Sequence, residues 1–338
     1  MSTVQASRPL AERRSPVDHL HALVAGDMSA TDRVIHERLS SAVALIPDLS
    51  LHLIDSGGKR LRPLLTLAAA RLCGYSGDAH VKLAAAVEFI HTATLLHDDV
   101  VDASSLRRGK VAANVVWGNK PSILVGDFLF SRAFQLMVEA GSLSVLDILA
   151  GASAIIAEGE VMQLKSANNL AVSQSEYMRV VTAKTATLFA AAAQAGATIA
   201  RGSAEATEGL RAYGHYLGIA FQLVDDALDY SGREKQMGKS VGDDFREAKV
   251  TLPLIFAYSR ADDEGRAFWE RTIQTGPQHE VDLSRAIAYV EQTGGIADTR
   301  AMALRYVDAA CNALAVLPRS DIRETLLDVA RMSVERAS

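Results

Sequence analysis

The chain has 338 residues, of which 49% are hydrophobic, and a formal net charge of -5, so it can bury a sizeable core. Acidic and basic residues are interleaved, which excludes a basic stripe for nucleic acid and a polybasic membrane anchor. The two cysteines, Cys73 and Cys311, are too few for a disulfide framework and lack the spacing of a zinc site. Any polyanionic partner would therefore need a local basic site.

The predicted elements are helices along the whole chain, because prolines are few and alternating β-branched runs are missing from the sequence. Residues 1–14 predict a flexible tail, and helical periodicity begins near Pro16. The alanine-rich residues 185–200 fall short of the roughly twenty needed to cross a bilayer, so they predict a core or subunit-interface helix. Breaks rich in glycine and small residues separate the helices at 55–58, 74–77, 118–121, 141–142, 231–232, 275–277 and 294–295. We therefore predict one all-α domain over residues 15–338, a single large helical bundle, located in the cytoplasm.

A basic segment is the first of the candidate site motifs along the chain. Lys59, Arg60 and Arg62 follow Gly57-Gly58 and precede Pro63, which places three cations on a loop leading into a helix. Free backbone amides at such a helix start also favour an anion. Taken alone, a basic helix cap is an equally good interpretation.

An aspartate motif follows at the end of an apolar helical pattern. Asp98 and Asp102 are four residues apart, so they lie on one helix face, with Asp99 beside them. His91 precedes Asp98 by two turns and shares that face, where it could donate to a phosphate. His97 points elsewhere and is interpreted as structural.

The same arrangement returns at Asp225, Asp226 and Asp229, again after apolar residues. Like charges at this spacing destabilise a helix, so a cation is expected to offset them. Hard oxygen ligands indicate Mg²⁺, which typically takes one or two carboxylates together with substrate phosphates. Two facing aspartate motifs predict a metal-diphosphate clamp. The alternative for either motif is a solvated acidic face.

Further Lys and Arg residues lie near the two motifs, and together with the basic segment they are numerous enough to bind two diphosphates. Arg107 and Arg108 follow the first motif and could make bidentate phosphate contacts. Lys184 stands before Thr185, and two more lysines lie beyond the second motif, at Lys239 and Lys249. Each of these cations alone is more typical of a solvent-exposed position.

Together these motifs resemble the trans-isoprenyl diphosphate synthase family, over roughly Leu51 to the C-terminus. The segments Ala157–Gln163 and Lys249–Pro253 are similar to its octaprenyl or decaprenyl branch. The resemblance implies the isoprenoid synthase fold with a central active-site cavity and a homodimer. It also implies about three Mg²⁺ ions with substrate bound, held directly by Asp98, Asp102 and Asp225. The implied catalytic residues are all six motif aspartates together with Lys184 and Lys239. Isopentenyl diphosphate would be bound by Lys59, Arg62, His91 and Arg108, and the allylic diphosphate by Arg107, Lys184, Thr185, Gln222, Lys239 and Lys249.

The implied reaction is ionisation of the allylic diphosphate, attack by the isopentenyl double bond, and proton loss to the released diphosphate. The expected product is an octaprenyl to decaprenyl diphosphate for quinone side chains. The chain departs from the family pattern at two places. Val250 follows Lys249 where relatives commonly carry proline, and the chain ends at residues 335–338 with Arg336 instead of a terminal basic residue.

Product length depends on the side chains nearer the start of the helix that carries Asp98. Ala93 lies five residues earlier, about 7.5 Å away at roughly 1.5 Å per residue, with Thr94 beside it. Short-chain members of the family carry bulky aromatic groups here, so small residues predict a long product. The alternative is that Ala93 only permits close helix packing.

Other functions remain open from the sequence. Residues 232–240 approach a P-loop, but five residues separate their glycines instead of four. A terpene cyclase or head-to-head synthase would share the acidic helices without needing the basic loop at Lys59. A farnesyl or geranylgeranyl diphosphate synthase, or a non-catalytic partner subunit of a prenyl synthase, would retain the fold. Transient membrane contact for product release is also expected.

Overall fold

The computed structural model describes residues 15–54, 57–107, 109–231 and 242–335. Within these ranges the chain forms seventeen α-helices. They are α1 (Pro16–Leu23), α2 (Ala25–Leu39), α3 (Leu45–Ile54), α4 (Leu61–Leu72), α5 (Ala79–Val101), α6 (Ala113–Trp117), α7 (Asn119–Glu139), α8 (Leu143–Ser166), α9 (Gln174–Val181), α10 (Thr187–Ile199), α11 (Ala204–Asp229), α12 (Asp243–Arg246), α13 (Leu252–Ser259), α14 (Asp263–Trp269), α15 (Asp282–Gln292), α16 (Gly295–Ala313) and α17 (Asp321–Glu335). The predicted all-α class is confirmed, and α1 begins at Pro16 as expected.

Two local features that carry candidate site residues were not predicted. A short antiparallel hairpin joins β1 (Leu106–Arg107) to β2 (Lys110–Val111), with Leu106 opposite Val111. A π-helical turn at Thr182–Ala186 connects α9 to α10, and such turns are frequent at functional sites. Both features carry cations that the sequence had singled out, so they bear directly on the site.

The alanine-rich helix α10 lies at the centre of the bundle and packs against α4, α8 and α11. Glycines allow the closest approaches. A Cβ at Gly196 would lie 2.2 Å from the Thr66 carbonyl oxygen, and one at Gly214 would lie 2.3 Å from the Phe189 carbonyl oxygen. Because most of α10 is buried within one chain, the structure confirms the core alternative of the prediction for this helix.

A second, smaller hydrophobic cluster surrounds Trp269 and fixes the segment after the second aspartate motif. Phe245 of α12 is buried there and stacks on Phe268, with 6.5 Å between ring centroids. Burial of one aromatic ring typically contributes about 1.5–3 kcal/mol. This anchor holds α12, and with it the segment that leads to Lys249, against the rest of the bundle.

The described residues contain no helix long and apolar enough to cross a membrane. Cys73 and Cys311 are half-buried free cysteines, and burial raises the pKa of both thiols. They are therefore packing residues, as the sequence predicted. The single-domain organisation over residues 15–338 remains a prediction.

Candidate active site

A cavity of about 860 Å³ opens between the C-terminal ends of α5 and α11, within the size range of small-molecule sites. Most of the predicted site residues line it: Lys59, Arg62, His91, Thr94, Asp98, Asp102, Arg107, Lys184, Thr185, Gln222, Asp225, Asp226 and Lys249. Ala93, Asp99 and Asp229 are buried but are not among the described lining residues. Arg108, Lys239 and Arg336 lie outside the described residues.

The first aspartate motif presents two carboxylates to the cavity, and each is paired with a lysine. Asp98 Oδ2 lies 3.2 Å from Lys184 Nζ, and Asp102 Oδ2 lies 2.8 Å from Lys249 Nζ. Burial opposes the charged form of both lysines, but the neighbouring carboxylates prevail and raise the pKa of each ammonium. The acidic face is therefore offset by cations from two other segments.

Asp99, between these two aspartates, is fully buried and has a different role. Its Oδ1 accepts hydrogen bonds from the Arg107 guanidinium, at 2.8 Å from Nε. Burial raises the pKa of this carboxyl although Arg107 favours its ionised form. The Asn114 amide donates to the Asp99 carbonyl oxygen at 2.9 Å and to that of Ser104 at 3.1 Å. Asp99 thus anchors the β1–β2 hairpin through Arg107.

In the second motif Asp225 lines the cavity, while Asp226 is buried among hydrogen-bond donors. The Tyr177 hydroxyl donates to Asp226 Oδ2, and Gln222 Nε2 donates to Oδ1 at 2.7 Å. Thr185 Oγ1 then donates to Gln222 Oε1 at 3.0 Å. Burial raises the pKa of Asp226 to about 7. A hydrogen-bonded chain thus ties α11 to the π-helical turn that carries Lys184.

Asp229 ends the second motif and acts as a helix cap. Its carboxylate accepts hydrogen bonds from the backbone amides of Asp243, at 3.1 Å, and Asp244, at 3.0 Å. These amides open α12, where unsatisfied donors favour a negative charge. Asp229 therefore fixes the segment that returns Lys249 to the cavity.

The basic segment at Lys59–Arg62 lines the same cavity. Arg62 Nη1 lies 3.1 Å from His91 Nε2, and its guanidinium carbon lies 4.3 Å from the Phe189 ring centroid. Lys59 is exposed beside them. Arg60 adopts a left-handed backbone conformation, with φ 44°, and pairs with Asp32 of α2. Lys59 before α4 and Arg62 in its first turn thus both face the cavity.

The two positions predicted to set product length lie in different environments. Thr94 lines the cavity, and its hydroxyl donates to the His91 carbonyl oxygen at 2.7 Å. Ala93 is fully buried in the core. His97, interpreted as structural, contacts α7, with Nε2 3.1 Å from the Ile123 carbonyl oxygen. The wall of the cavity on this face of α5 therefore passes through Thr94.

Several cavity residues were not assigned a role from the sequence: Glu88, Glu160, Gln163, Tyr177, Asp244 and Glu247. Glu160 and Gln163 belong to the segment Ala157–Gln163 that carries part of the resemblance, so a signal was present. Tyr177 had none, because a single tyrosine in an amphipathic helix is ordinary. Burial and the neighbouring Asp98 charge raise the pKa of Glu160 to about 7.

The cavity offers carboxylates in a form suited to a hard cation. Among the described residues no cluster of three or more His, Cys, Asp or Glu side chains could hold a metal by itself. Asp98 and Asp102 nevertheless each already bind a cation, the ammonium of a lysine. Mg²⁺ usually needs only one or two carboxylates when phosphate oxygens supply other positions, so this oxygen donor set fits it.

The fold and the cavity place the chain in a class, the all-α isoprenoid synthases. Residues 43–290 match the model of the polyprenyl synthetase family, and the chain belongs to that family. It is 45% identical over 320 residues to octaprenyl diphosphate synthase of Escherichia coli K12, which covers 95% of this chain and 99% of the relative.

Two solved structures are similar to this chain over nearly its whole length. One is polyprenyl synthase from Caulobacter crescentus CB15 complexed with calcium and isoprenyl diphosphate, at 54% identity and TM-score 0.93, covering 96% of this chain and all of that one. The other is a decaprenyl diphosphate synthase from Rhodobacter capsulatus, at 53% identity and TM-score 0.91, with the same coverage. The predicted family is confirmed.

Proposed function

We propose that this chain is a long-chain trans-polyprenyl diphosphate synthase that extends an allylic diphosphate, such as farnesyl diphosphate, with isopentenyl diphosphate. One observation carries the proposal: the cavity-facing aspartates and the described members of both cation sets line a single cavity. The names of the relatives, octaprenyl and decaprenyl diphosphate synthases, favour an octaprenyl to decaprenyl product, which would serve as a quinone side chain.

The two diphosphates would be bound at opposite sides of the cavity. Isopentenyl diphosphate would lie against the basic loop, where Arg62 and His91 are held together beside Lys59, with Arg108 as a further ligand. The allylic diphosphate would be bound by Arg107, Lys184, Thr185, Gln222, Lys239 and Lys249. A separate cation set for each diphosphate distinguishes this function from a terpene cyclase.

Mg²⁺, held by Asp98, Asp102 and Asp225, would neutralise the charge that develops on the departing diphosphate. Lys184 and Lys249 would stabilise the same charge through their ammonium groups. The allylic C–O bond breaks, the isopentenyl double bond attacks the allylic carbon, and the proton leaves to the released diphosphate. Phe189, Phe221 and Val181 in the cavity wall would exclude water from the carbocation.

Release of inorganic diphosphate from isopentenyl and farnesyl diphosphates, measured with and without Mg²⁺, tests the proposal. We expect release only when Mg²⁺ is present, and the Asp98→Ala variant serves as the inactive control. If the isolated chain released none with Mg²⁺, the proposal would fail in favour of a non-catalytic partner subunit.

Product length can be tested at the two neighbouring positions on α5. On the tunnel hypothesis Ala93→Tyr truncates the product to about fifteen or twenty carbons, because one ring fills the space. Since Thr94 lines the cavity and Ala93 is buried in the core, we expect Thr94→Tyr to shorten the product more. Chromatography of the dephosphorylated products measures the chain length that each variant makes. A full-length product from both variants would remove the physical support for this face of α5 as the tunnel wall.

The proposed assembly is a homodimer formed by α7 and α8. Their exposed apolar side chains include Leu124, Val138, Leu143, Val161 and Leu164, and large exposed apolar patches commonly mark interfaces. We expect twice the chain mass in light scattering at micromolar concentration. A monomeric mass would contradict the dimer.

We further propose a cytoplasmic site of action with transient membrane contact, because a long prenyl product is far more apolar than either substrate. Vesicle flotation with and without bound product tests this contact. Equal flotation in both states would contradict it.

A further inference from the structure

Two lysines in the cavity have the same unusual arrangement, each lying between an aspartate of the first motif and a glutamate from another segment. Lys184 Nζ is 2.7 Å from Glu160 Oε2 and 3.2 Å from Asp98 Oδ2. Lys249 Nζ is 2.6 Å from Glu247 Oε2 and 2.8 Å from Asp102 Oδ2. Each ammonium thus has two carboxylate partners, of which only the aspartate belongs to the proposed metal site.

Close backbone packing holds the first glutamate in place. Gly159 precedes Glu160 on α8, and a Cβ there would lie 2.9 Å from both the Lys184 backbone nitrogen and the Ala183 Cβ. Only a glycine lets α8 approach the π-helical turn this closely. The approach brings Glu160 beside the Lys184 ammonium.

A left-handed residue holds the second glutamate. Ala248, between Glu247 and Lys249, has φ 51°, a conformation that is unfavourable for a residue with a Cβ. The Lys249 amide donates to the Asp244 carbonyl oxygen at 2.8 Å. This tight turn places the carboxylate of Glu247 next to the ammonium of Lys249. Backbone strain of this kind persists where the surrounding structure fixes it, commonly at functional sites.

We propose that Glu160 and Glu247 are positioning residues that retain Lys184 and Lys249 in the site while each ammonium exchanges its aspartate partner for an arriving diphosphate. The inference rests on the proposed function, since it takes Asp98 and Asp102 as metal ligands. A divalent cation arriving alone must compete with both ammonium groups for these aspartates. A diphosphate gives the ammonium groups new acceptors, so metal and diphosphate strengthen each other's binding. With a glutamate as permanent partner, no lysine is left unpaired during the exchange.

A double-mutant cycle on Lys184 and Glu160 tests this role. Binding of Mg²⁺ alone and of Mg²⁺ with inorganic diphosphate is measured by titration calorimetry at about pH 8, above the pKa of about 7 of Glu160. The variants are Lys184→Met, Glu160→Gln and the double variant. Glu158→Gln is the matched control, because this exposed glutamate on the same helix undergoes the same change of charge.

We expect Lys184→Met to tighten binding of Mg²⁺ alone by about 5- to 10-fold, because the competing ammonium is gone. Glu160→Gln should weaken it by a similar factor, because Lys184 then has Asp98 as its carboxylate partner. In the Lys184→Met background Glu160→Gln should have almost no effect.

An additive cycle would overturn the inference, because Glu160 would then act on the metal through its own charge. If the wild-type chain failed to bind Mg²⁺ even with inorganic diphosphate, the proposed function itself would fail. Circular dichroism confirms folding of each variant. The equivalent cycle on Lys249 and Glu247 gives an independent decision if a variant of the first pair does not fold.

Discussion

The two aspartate motifs have the same spacing and both end a long helix, yet they are built into the molecule differently. The first aspartate of each, Asp98 and Asp225, lines the cavity. The middle aspartate of each is buried, but Asp99 is bound by the Arg107 guanidinium, whereas Asp226 is bound by neutral donors from Tyr177 and Gln222. One buried carboxylate is therefore balanced by a charge and the other by hydrogen bonds.

The third aspartates differ most. Asp102 faces the cavity and pairs with Lys249, while Asp229 is buried and caps α12. Among the three positions of the repeated pattern, only the first thus lines the cavity in both motifs. The partners of the second and third aspartates depend on which segment packs against the end of each helix. The two motifs are therefore alike in sequence but differ in their contacts.

The largest effect is expected at the positions that the two motifs share. Asp98→Ala or Asp225→Ala should lower kcat by roughly 10²- to 10³-fold or more, because each removes a ligand that stabilises charge in the transition state. The fold should survive, since Lys184 keeps Glu160 as a partner in the first variant. Steady-state diphosphate release measures kcat, and thermal melts measure the stability of the fold. Asp127→Ala, which removes an exposed carboxylate of α7, is the control. Near-normal turnover in either motif variant would contradict the assignment of Asp98 and Asp225 as metal ligands.

Removing a partner of the middle aspartate should destabilise the fold by different amounts in the two motifs. Arg107→Met leaves the Asp99 carboxylate buried without its cation, which typically costs about 3–5 kcal/mol. Tyr177→Phe removes one hydrogen bond to Asp226 and should cost about 1–3 kcal/mol. Urea denaturation gives the free energy of unfolding of each. Equal losses would show that charge and hydrogen bonds contribute alike, contrary to the comparison.

A pH series isolates Asp226. Burial raises the pKa of its carboxyl from 3.8 to about 7, so the folded chain binds this proton more tightly than the unfolded chain. Its contribution to stability is therefore fully present below the unfolded pKa and is lost as the pH rises toward about 7, at no more than about 1.4 kcal/mol per pH unit. We expect Asp226→Asn to flatten this part of the stability profile. Parallel profiles for the variant and the wild type would contradict the assignment.

The smallest effect is expected at the third positions. Asp229→Ala removes the cap of α12 and should cost about 0.5–2 kcal/mol of stability. Asp102→Ala should leave stability nearly unchanged, because Lys249 retains Glu247, but should weaken Mg²⁺ binding. Thermal melts and calorimetric titration separate the two effects. The reverse pattern would mean that Asp102 is structural and Asp229 a metal ligand.

The helices could be predicted from the sequence because local signals mark their limits. Glycine and small residues stand at most of the boundaries, and Pro16 starts α1 where periodicity begins. The β1–β2 hairpin was missed because two residues per strand give no alternating pattern. The sequence left two alternatives for α10, a core helix or a subunit-interface helix, since an alanine-rich helix fits both equally well.

The sequence by itself determined the family, the helical class and the presence of two acidic helix ends with enough cations for two diphosphates. Spacing along a helix fixes which side chains share a face, and that is local geometry. Only the tertiary structure decided which carboxylates face the cavity. Tyr177 reaches Asp226 from α9, and Lys184 and Lys249 reach Asp98 and Asp102 from other segments. Contacts between distant segments depend on packing that no local pattern encodes.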